Sequence, residues 1–148
     1  MSDRGYRIIV TGSRTWDNPG LLAYELALAA GKSGLPRDEV VIVHGACPTG
    51  ADAQAAGFAV MHGYRTEEHP ADWQQGKSAG PRRNAEMVAL GADVCLALFQ
   101  PGAANRGTSD CVRKALGAGI PVRAFGEVPE WVKAAEALKP AGHDRKDG

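Results

Sequence analysis

HGACPTGAD, from His44 to Asp52, directly follows Val40-Val41-Ile42-Val43. Four apolar β-branched residues in a row read as a strand buried on both faces, as in a parallel sheet. A loop with a glycine near each end comes next. An alanine-rich run, Gly50–His62, then reads as a helix closed by Gly63. This unit of strand, glycine loop and helix recurs along the chain.

Towards the N-terminus, Tyr6–Thr11 reads as a short buried strand broken by Gly12, and Leu21–Ala30 as a helix. Asn18 is the candidate N-cap of that helix, Pro19 suits its first turn, and Gly31 and Gly34 end it. Towards the C-terminus, Tyr64–His69 is a weaker strand, and Pro70–Gly80 is irregular with Trp73 inside it. Pro81–Leu90 is a helix with Pro81 at its first position, and Val94–Phe99 a fourth buried strand. Pro101–Arg106 is a loop, Thr108–Leu116 a helix, Ile120–Phe125 a fifth strand and Glu130–Leu138 a terminal helix. Strand and helix alternate throughout. The expected fold class is therefore α/β, a Rossmann-like three-layer α/β/α arrangement with about five parallel strands. Ligands of such sheets bind at the carboxyl ends of the strands, where strand order reverses.

The 148 residues fit one domain, expected over 1–139, followed by a polar, frayed tail over 140–148. Seventeen basic and seventeen acidic residues cancel, which argues against a general polyanion binder and leaves room for a local basic pocket. Three cysteines, Cys47, Cys95 and Cys111, form no CxxC pair, so neither a disulfide framework nor a zinc knuckle is expected. His44, Cys47, Asp52, His69 and Asp72 match no zinc spacing, and no metal site is assigned. The start MSDRGYR lacks an apolar signal core, and no apolar run is long enough to span a bilayer. A cytoplasmic protein with no membrane partner is expected.

Four glycine loops carry the candidate chemistry: TGSR (Thr11–Arg14), HGACPTGAD, AGPRRN (Ala79–Asn84) and NRGTSD (Asn105–Asp110). Each opens a helix, and free N–H groups at helix starts bind anions, phosphate above all. Gly12 would admit a ligand to the backbone, Ser13 would donate to it, and Arg14 would grip it bidentately; a plain tight turn is the alternative. His44 and Gly45 end the second strand, while Gly50, Ala51 and Asp52 begin a helix. Asp52 suits either the helix dipole or a ribose hydroxyl, and His44 either a ligand or backbone partners. Cys47 is either a thiol activated by the helix start or a small loop residue. Asp72 and Trp73 offer a hydroxyl acceptor and a ring to stack on a base; the alternative for Trp73 is a core anchor. Lys77 is a candidate phosphate contact. Gly80 and Pro81 precede Arg82 and Arg83, whose charges oppose the dipole of a first turn. A negative partner is therefore expected, either Glu86 or a phosphate. Asn84 completes that motif. Gly107 and Thr108 begin the fourth helix.

These motifs, in this order, resemble the SLOG superfamily of Rossmann-like domains, in its YspA-like branch. The branch pattern runs GSR, HGxxxGAD, AdW, gk-AGPxRNxxM, GT and AGIPV. Matching it here are Gly12-Ser13-Arg14, His44-Gly45, Gly50-Ala51-Asp52, Ala71-Asp72-Trp73, Gly76-Lys77, Ala79-Gly80-Pro81, Arg83-Asn84, Met87, Gly107-Thr108 and Ala118–Val122. The resemblance covers roughly residues 6–125. It implies a Rossmann-like fold with a site for a nucleotide or nucleotide derivative. The superfamily includes the LOG phosphoribohydrolases, with the signature PGGxGTxxE and a preceding catalytic arginine. Arg83 is similar in placement to that arginine, but the glutamate position falls on Cys111, which cannot hold a ribose hydroxyl as a carboxylate does. Asp110 is adjacent, about 100° away on a helix. The superfamily also includes DprA-type proteins, which bind single-stranded DNA.

The expected function is a sensor or binding module for a nucleotide, with no further cofactor certain. The alternative is an N-glycosidic hydrolase using Arg83 with Asp110, Asp52 or Glu86. Single-stranded nucleic-acid binding ranks third, because nine aromatic residues and zero net charge do not make a basic stacking groove. The alanines of Ala51–Ala59 suggest close packing against a neighbour, which makes a homodimer a candidate.

Overall fold

The computed structural model describes residues 5–137. Five strands, β1 (Tyr6–Gly12), β2 (Val40–His44), β3 (Arg65–Glu68), β4 (Val94–Phe99) and β5 (Val122–Gly126), form one sheet in the order β3-β2-β1-β4-β5. Every pairing is parallel. Five helices connect or follow them: α1 (Pro19–Lys32), α2 (Gly50–His62), α3 (Ala79–Ala89), α4 (Arg106–Gly117) and α5 (Glu130–Ala137). Strand order reverses between β1 and β4, so a crevice opens beyond their carboxyl ends.

Alternate residues of the buried strands feed two cores. On one face Ile8, Val10, Val40, Ile42, Leu96 and Leu98 meet Leu22 and Leu26 of α1 and Ala51, Ala55 and Ala59 of α2. On the other, Ile9, Val41, Val43, Cys95, Ala97 and Phe99 meet Met87 of α3, Cys111 and Val112 of α4, and Val132 of α5. A sheet covered on both sides needs apolar residues at every strand position, which is why VVIV and VCLALF run without a polar break. Each fully buried leucine contributes about 1.5–3 kcal/mol. The alanines of α2, four residues apart, pack inward on the sheet. They do not form an outer face for a neighbour.

Several helix ends differ from the sequence reading. Asn18 Oδ1 accepts from Leu21 N at 3.1 Å as expected, but α1 runs through Gly31 to Lys32 before Gly34 turns at positive φ. α2 spans Gly50–His62 as read, with Gly63 left-handed at its end. Pro81 does not start α3. The helix begins at Ala79, whose N–H is taken by Gly76 O at 3.1 Å, and Pro81 sits within the first turn, where a missing N–H costs nothing. α4 starts at Arg106, two residues earlier than Thr108, because Asn105 adopts the left-handed conformation (φ 54°) and closes the preceding loop. Its side chain accepts from Gln100 N and donates to Gln100 O and Ala103 O. The third strand shortens to Arg65–Glu68 and the fifth shifts to Val122–Gly126. Leu138 and the 140–148 tail lie outside the described residues. Among the described residues no helix is long and apolar enough to cross a membrane.

Candidate functional site

The loops after β1 and β2 lock together before any ligand is considered. Ser13 O accepts from Ala51 N at 3.2 Å and from Trp16 N at 3.1 Å. Thr49, within the HGACPTGAD loop, donates its hydroxyl to Arg14 O at 3.0 Å. Gly50 has φ +73° and lies against the Ser13 and Arg14 carbonyls, where a side chain would collide. GSR and GAD are thus partly a structural joint.

Beyond that joint, at the reversal between β1 and β4, lies a cleft of about 720 Å³. Gly12, Ser13, Arg14, Gly45, Asp52, Trp73, Lys77, Gly80, Pro81, Arg83, Asn84, Gly107, Thr108 and Asp110 all line it. Its size falls within the range of pockets for small organic ligands, about 300–1,000 Å³. Four cationic side chains face it, Arg14, Lys77, Arg83 and Arg106, against two carboxylates, Asp52 and Asp110. A chain of zero net charge therefore concentrates positive charge at one place.

Arg83 is the centre of the arrangement. Its Nη1 donates to Gly45 O at 2.7 Å and to His69 O at 3.4 Å, and its Nε to Asn84 Oδ1 at 2.9 Å. All three acceptors are neutral, and the ion pairs among the described residues do not include it. Arg82 points elsewhere, to Gln75 Oε1 at 2.6 Å and Ser78 Oγ at 2.7 Å. Asn84 Nδ2 donates to Asp110 Oδ2 at 3.0 Å, and Lys114 Nζ holds both Asp110 oxygens at 2.6–2.7 Å. A chain of side chains thus ties α3 to α4 along the cleft. Trp73 is half-exposed rather than a core anchor. The Arg14 guanidinium lies 5.3 Å from its ring centroid, and its edge rests on Gly80, where any Cβ would sit 2.9 Å away.

Five singled-out residues lie outside the cleft wall. His44 is buried. Its Nδ1 accepts from Ala46 N at 3.0 Å, which puts the ring proton on Nε2, and burial lowers its pKa. Gly50 and Ala51 belong to the joint described above. Asp72 caps the short 3-10 turn Trp73–Gln75 by accepting from Gln74 N at 3.2 Å. Glu86 pairs with His69 Nδ1 at 2.9 Å and is not the partner of the first-turn arginines. Asp52 lines the cleft but is buried and accepts from Cys47 N at 3.2 Å. Burial and the Asp52 carboxylate both push the Cys47 thiol up, so it is not an activated nucleophile. Cys111 does not line the cleft; it is fully buried beside Cys95 and the Thr11 hydroxyl.

Arg106 and Asn105 line the cleft; the sequence reading placed them in the NRGTSD loop but gave neither a role. Their signal was an asparagine before a helix, a residue that tolerates the left-handed conformation that turned Arg106 into the first helical residue.

A sequence model of the family described as "YspA, cpYpsA-related SLOG family" matches residues 6–76, from β1 through the Trp73 turn. The chain is 42% identical over 129 residues to the gene 61 protein of Mycobacterium phage D29, covering 83% of this chain and 98% of that protein. A solved structure, that of the Moco carrier protein from Chlamydomonas reinhardtii, superposes with a TM-score of 0.62. That match covers 92% of this chain and 85% of the other at 23% identity, a likeness of fold. With its parallel β3-β2-β1-β4-β5 sheet and its matching GSR and HGxxxGAD loops, the chain belongs to the YspA, cpYpsA-related SLOG family.

Proposed function

We propose that the chain binds a nucleotide or nucleotide-derived ligand in the cleft, as a binding or sensing module. One observation carries this reading: Arg83, half-buried on the cleft wall, has its hydrogen bonds on neutral acceptors only. A phosphate there would supply the missing charge. Arg14, Lys77 and Arg106 flank it, and the start of α4 at Gly107 and Thr108 adds backbone N–H groups. Asp52 is the acceptor for a ribose hydroxyl. The fold neighbour, named as a carrier of Moco, is in keeping with a binding role on this scaffold.

Thermal denaturation against a panel of nucleotides tests the reading. A ligand at about 100 times its Kd adds about 2.7 kcal/mol. Arg83→Ala and Arg14→Ala each remove a charge-assisted contact of about 1.5–3 kcal/mol, a loss of roughly 10- to 100-fold in affinity. Unchanged affinity in both variants refutes the proposal.

The position of Asp110 supports a second reading, hydrolysis of the N-glycosidic bond. It lines the cleft and connects to Arg83 through Asn84. Chromatography of nucleotide incubations would then show free base, and Asp110→Asn would abolish its release. Intact nucleotide after prolonged incubation rules this out.

A second copy of the chain remains the proposed protein partner, now for a different reason. Tyr24 and Leu28 of α1 and Val60 and Met61 of α2 are exposed, and no charged residue lies among the exposed positions of either helix before Lys32. An uncharged face meets its own copy without like-charge repulsion. Sedimentation should give a dimer that Met61→Lys converts to monomer; a monomeric wild type overturns the idea.

A further inference from the structure

A second cavity, of about 360 Å³, abuts the cleft and shares with it Arg14, Gly45, Cys47, Trp73 and Arg83. The remaining residues of this side pocket are Ala46, Pro48, Pro70 and Ala71. None of the four carries a charge or a hydrogen-bonding side chain. The main cleft's own lining is mixed, with Ser13, Asn84, Asn105, Arg106 and Asp110 bearing polar groups beside the apolar Val10 and Met87. The shared waist holds two guanidinium groups, those of Arg14 and Arg83. Side chains thus change character in three steps, from a pocket wall of alanine and proline through a cationic waist to a cleft that carries hydrogen-bonding groups.

We propose that the ligand is built in the same three steps: a nucleoside diphosphate carrying a second, hydroxyl-rich group on its distal phosphate. This rests on the reading of the cleft as a nucleotide site. The flat base enters the side pocket, whose proline and alanine walls suit a ring face and offer it little to hydrogen-bond. Trp73, half-exposed, lies against Gly80 and Arg14 and walls both compartments. The diphosphate lies at the waist, because two guanidinium groups match two phosphates better than one. The hydroxyl-rich group occupies the main cleft, where the Asp110 carboxylate offers acceptors and the Arg106 guanidinium donors.

Calorimetric titration of the full chain with ADP-glucose, UDP-glucose, AMP, UMP and inorganic pyrophosphate tests this. At least one nucleotide sugar should bind ten times or more tightly than its monophosphate. Ala71→Trp, and separately Pro48→Trp, fill the side pocket from exposed or half-exposed loop positions. Both should weaken that sugar nucleotide at least tenfold and leave pyrophosphate unchanged. A monophosphate that binds as tightly as the sugar nucleotide overturns the proposal, and so does unchanged affinity in both filling variants. Arg83→Ala separates the two levels. If it weakens binding while the filling variants do not, the nucleotide site stands and the side pocket falls. If it leaves every probe unaffected, or if none binds the wild type, both fall.

Discussion

Arg7 and Arg83 are both drawn in from solvent, and their partners differ. Arg7, on β1, donates through both terminal nitrogens to Glu67 on β3, one of these bonds at 2.8 Å, and through Nε to Gly91 O at 2.7 Å. His69 Nε2 joins the same carboxylate at 2.6 Å. Arg83 has carbonyl and amide oxygens only. A guanidinium that has its carboxylate ties strands together; one that lacks it is a receptor for an anion from outside. The fold and the proposed site therefore use the same side chain in two ways, and each use can be removed without the other.

The largest effect is expected at Glu67. Glu67→Ala strands Arg7, which is 4% exposed, without a counter-ion. Removing one member of a buried pair costs about 3–5 kcal/mol, and because Glu67 itself is 31% exposed the lower end applies. Urea denaturation should show that loss while nucleotide affinity stays put. A loss below about 1 kcal/mol would make Arg7 no more committed than Arg83. The same pair has a pH signature. The Arg7 bonds, and then His69, hold the Glu67 carboxyl down at about 2 from the ordinary 4.5. A depressed carboxylate contributes stability in full above its unfolded pKa and loses it as pH falls through the folded one. Stability should therefore drop between about pH 4.5 and 2 in the wild type. In Glu67→Gln that part of the drop should vanish, and an unchanged acid profile would show that the pair does not couple to folding.

The two arginines also mark what a sequence can and cannot convey. VVIV, VCLALF and the glycine punctuation around Gly50–His62 specify strands and a helix by local chemistry alone, and from the alternation the parallel sheet follows. Arg83 was visible because a positive charge in a helix's first turn conflicts with the dipole. The Arg7–Glu67 pair was not, because nothing in residue spacing states which side chains sixty positions apart will meet. The same blindness covers His44 and Asp72: each matches a motif, yet the first is turned to Ala46 N and the second to Gln74 N. Glu86 looked like the natural partner for Arg82 and Arg83 one turn on. The helix instead presents it to His69, a residue on another segment.

The smallest change in stability, with a full change in binding, is expected at Gly45. Its backbone carbonyl orients Arg83, and the guanidinium lies so close over its Cα that an added Cβ would overlap Nη1 and Cζ. The obstructing atoms are the far end of a flexible side chain, so Gly45→Ala can be accommodated by swinging Arg83 out. The cost to folding is then on the order of the Nη1 bonds given up to Gly45 O and His69 O, about 1 kcal/mol each because the freed guanidinium is taken up by water. Nucleotide affinity should fall nearly as far as in Arg83→Ala, because the charge remains but its aim is lost. The double variant should then bind no more weakly than Arg83→Ala alone, since both changes remove the same contact. Additive losses would mean that Gly45 serves the ligand directly, by letting it approach the backbone, and that Arg83 is aimed by something else.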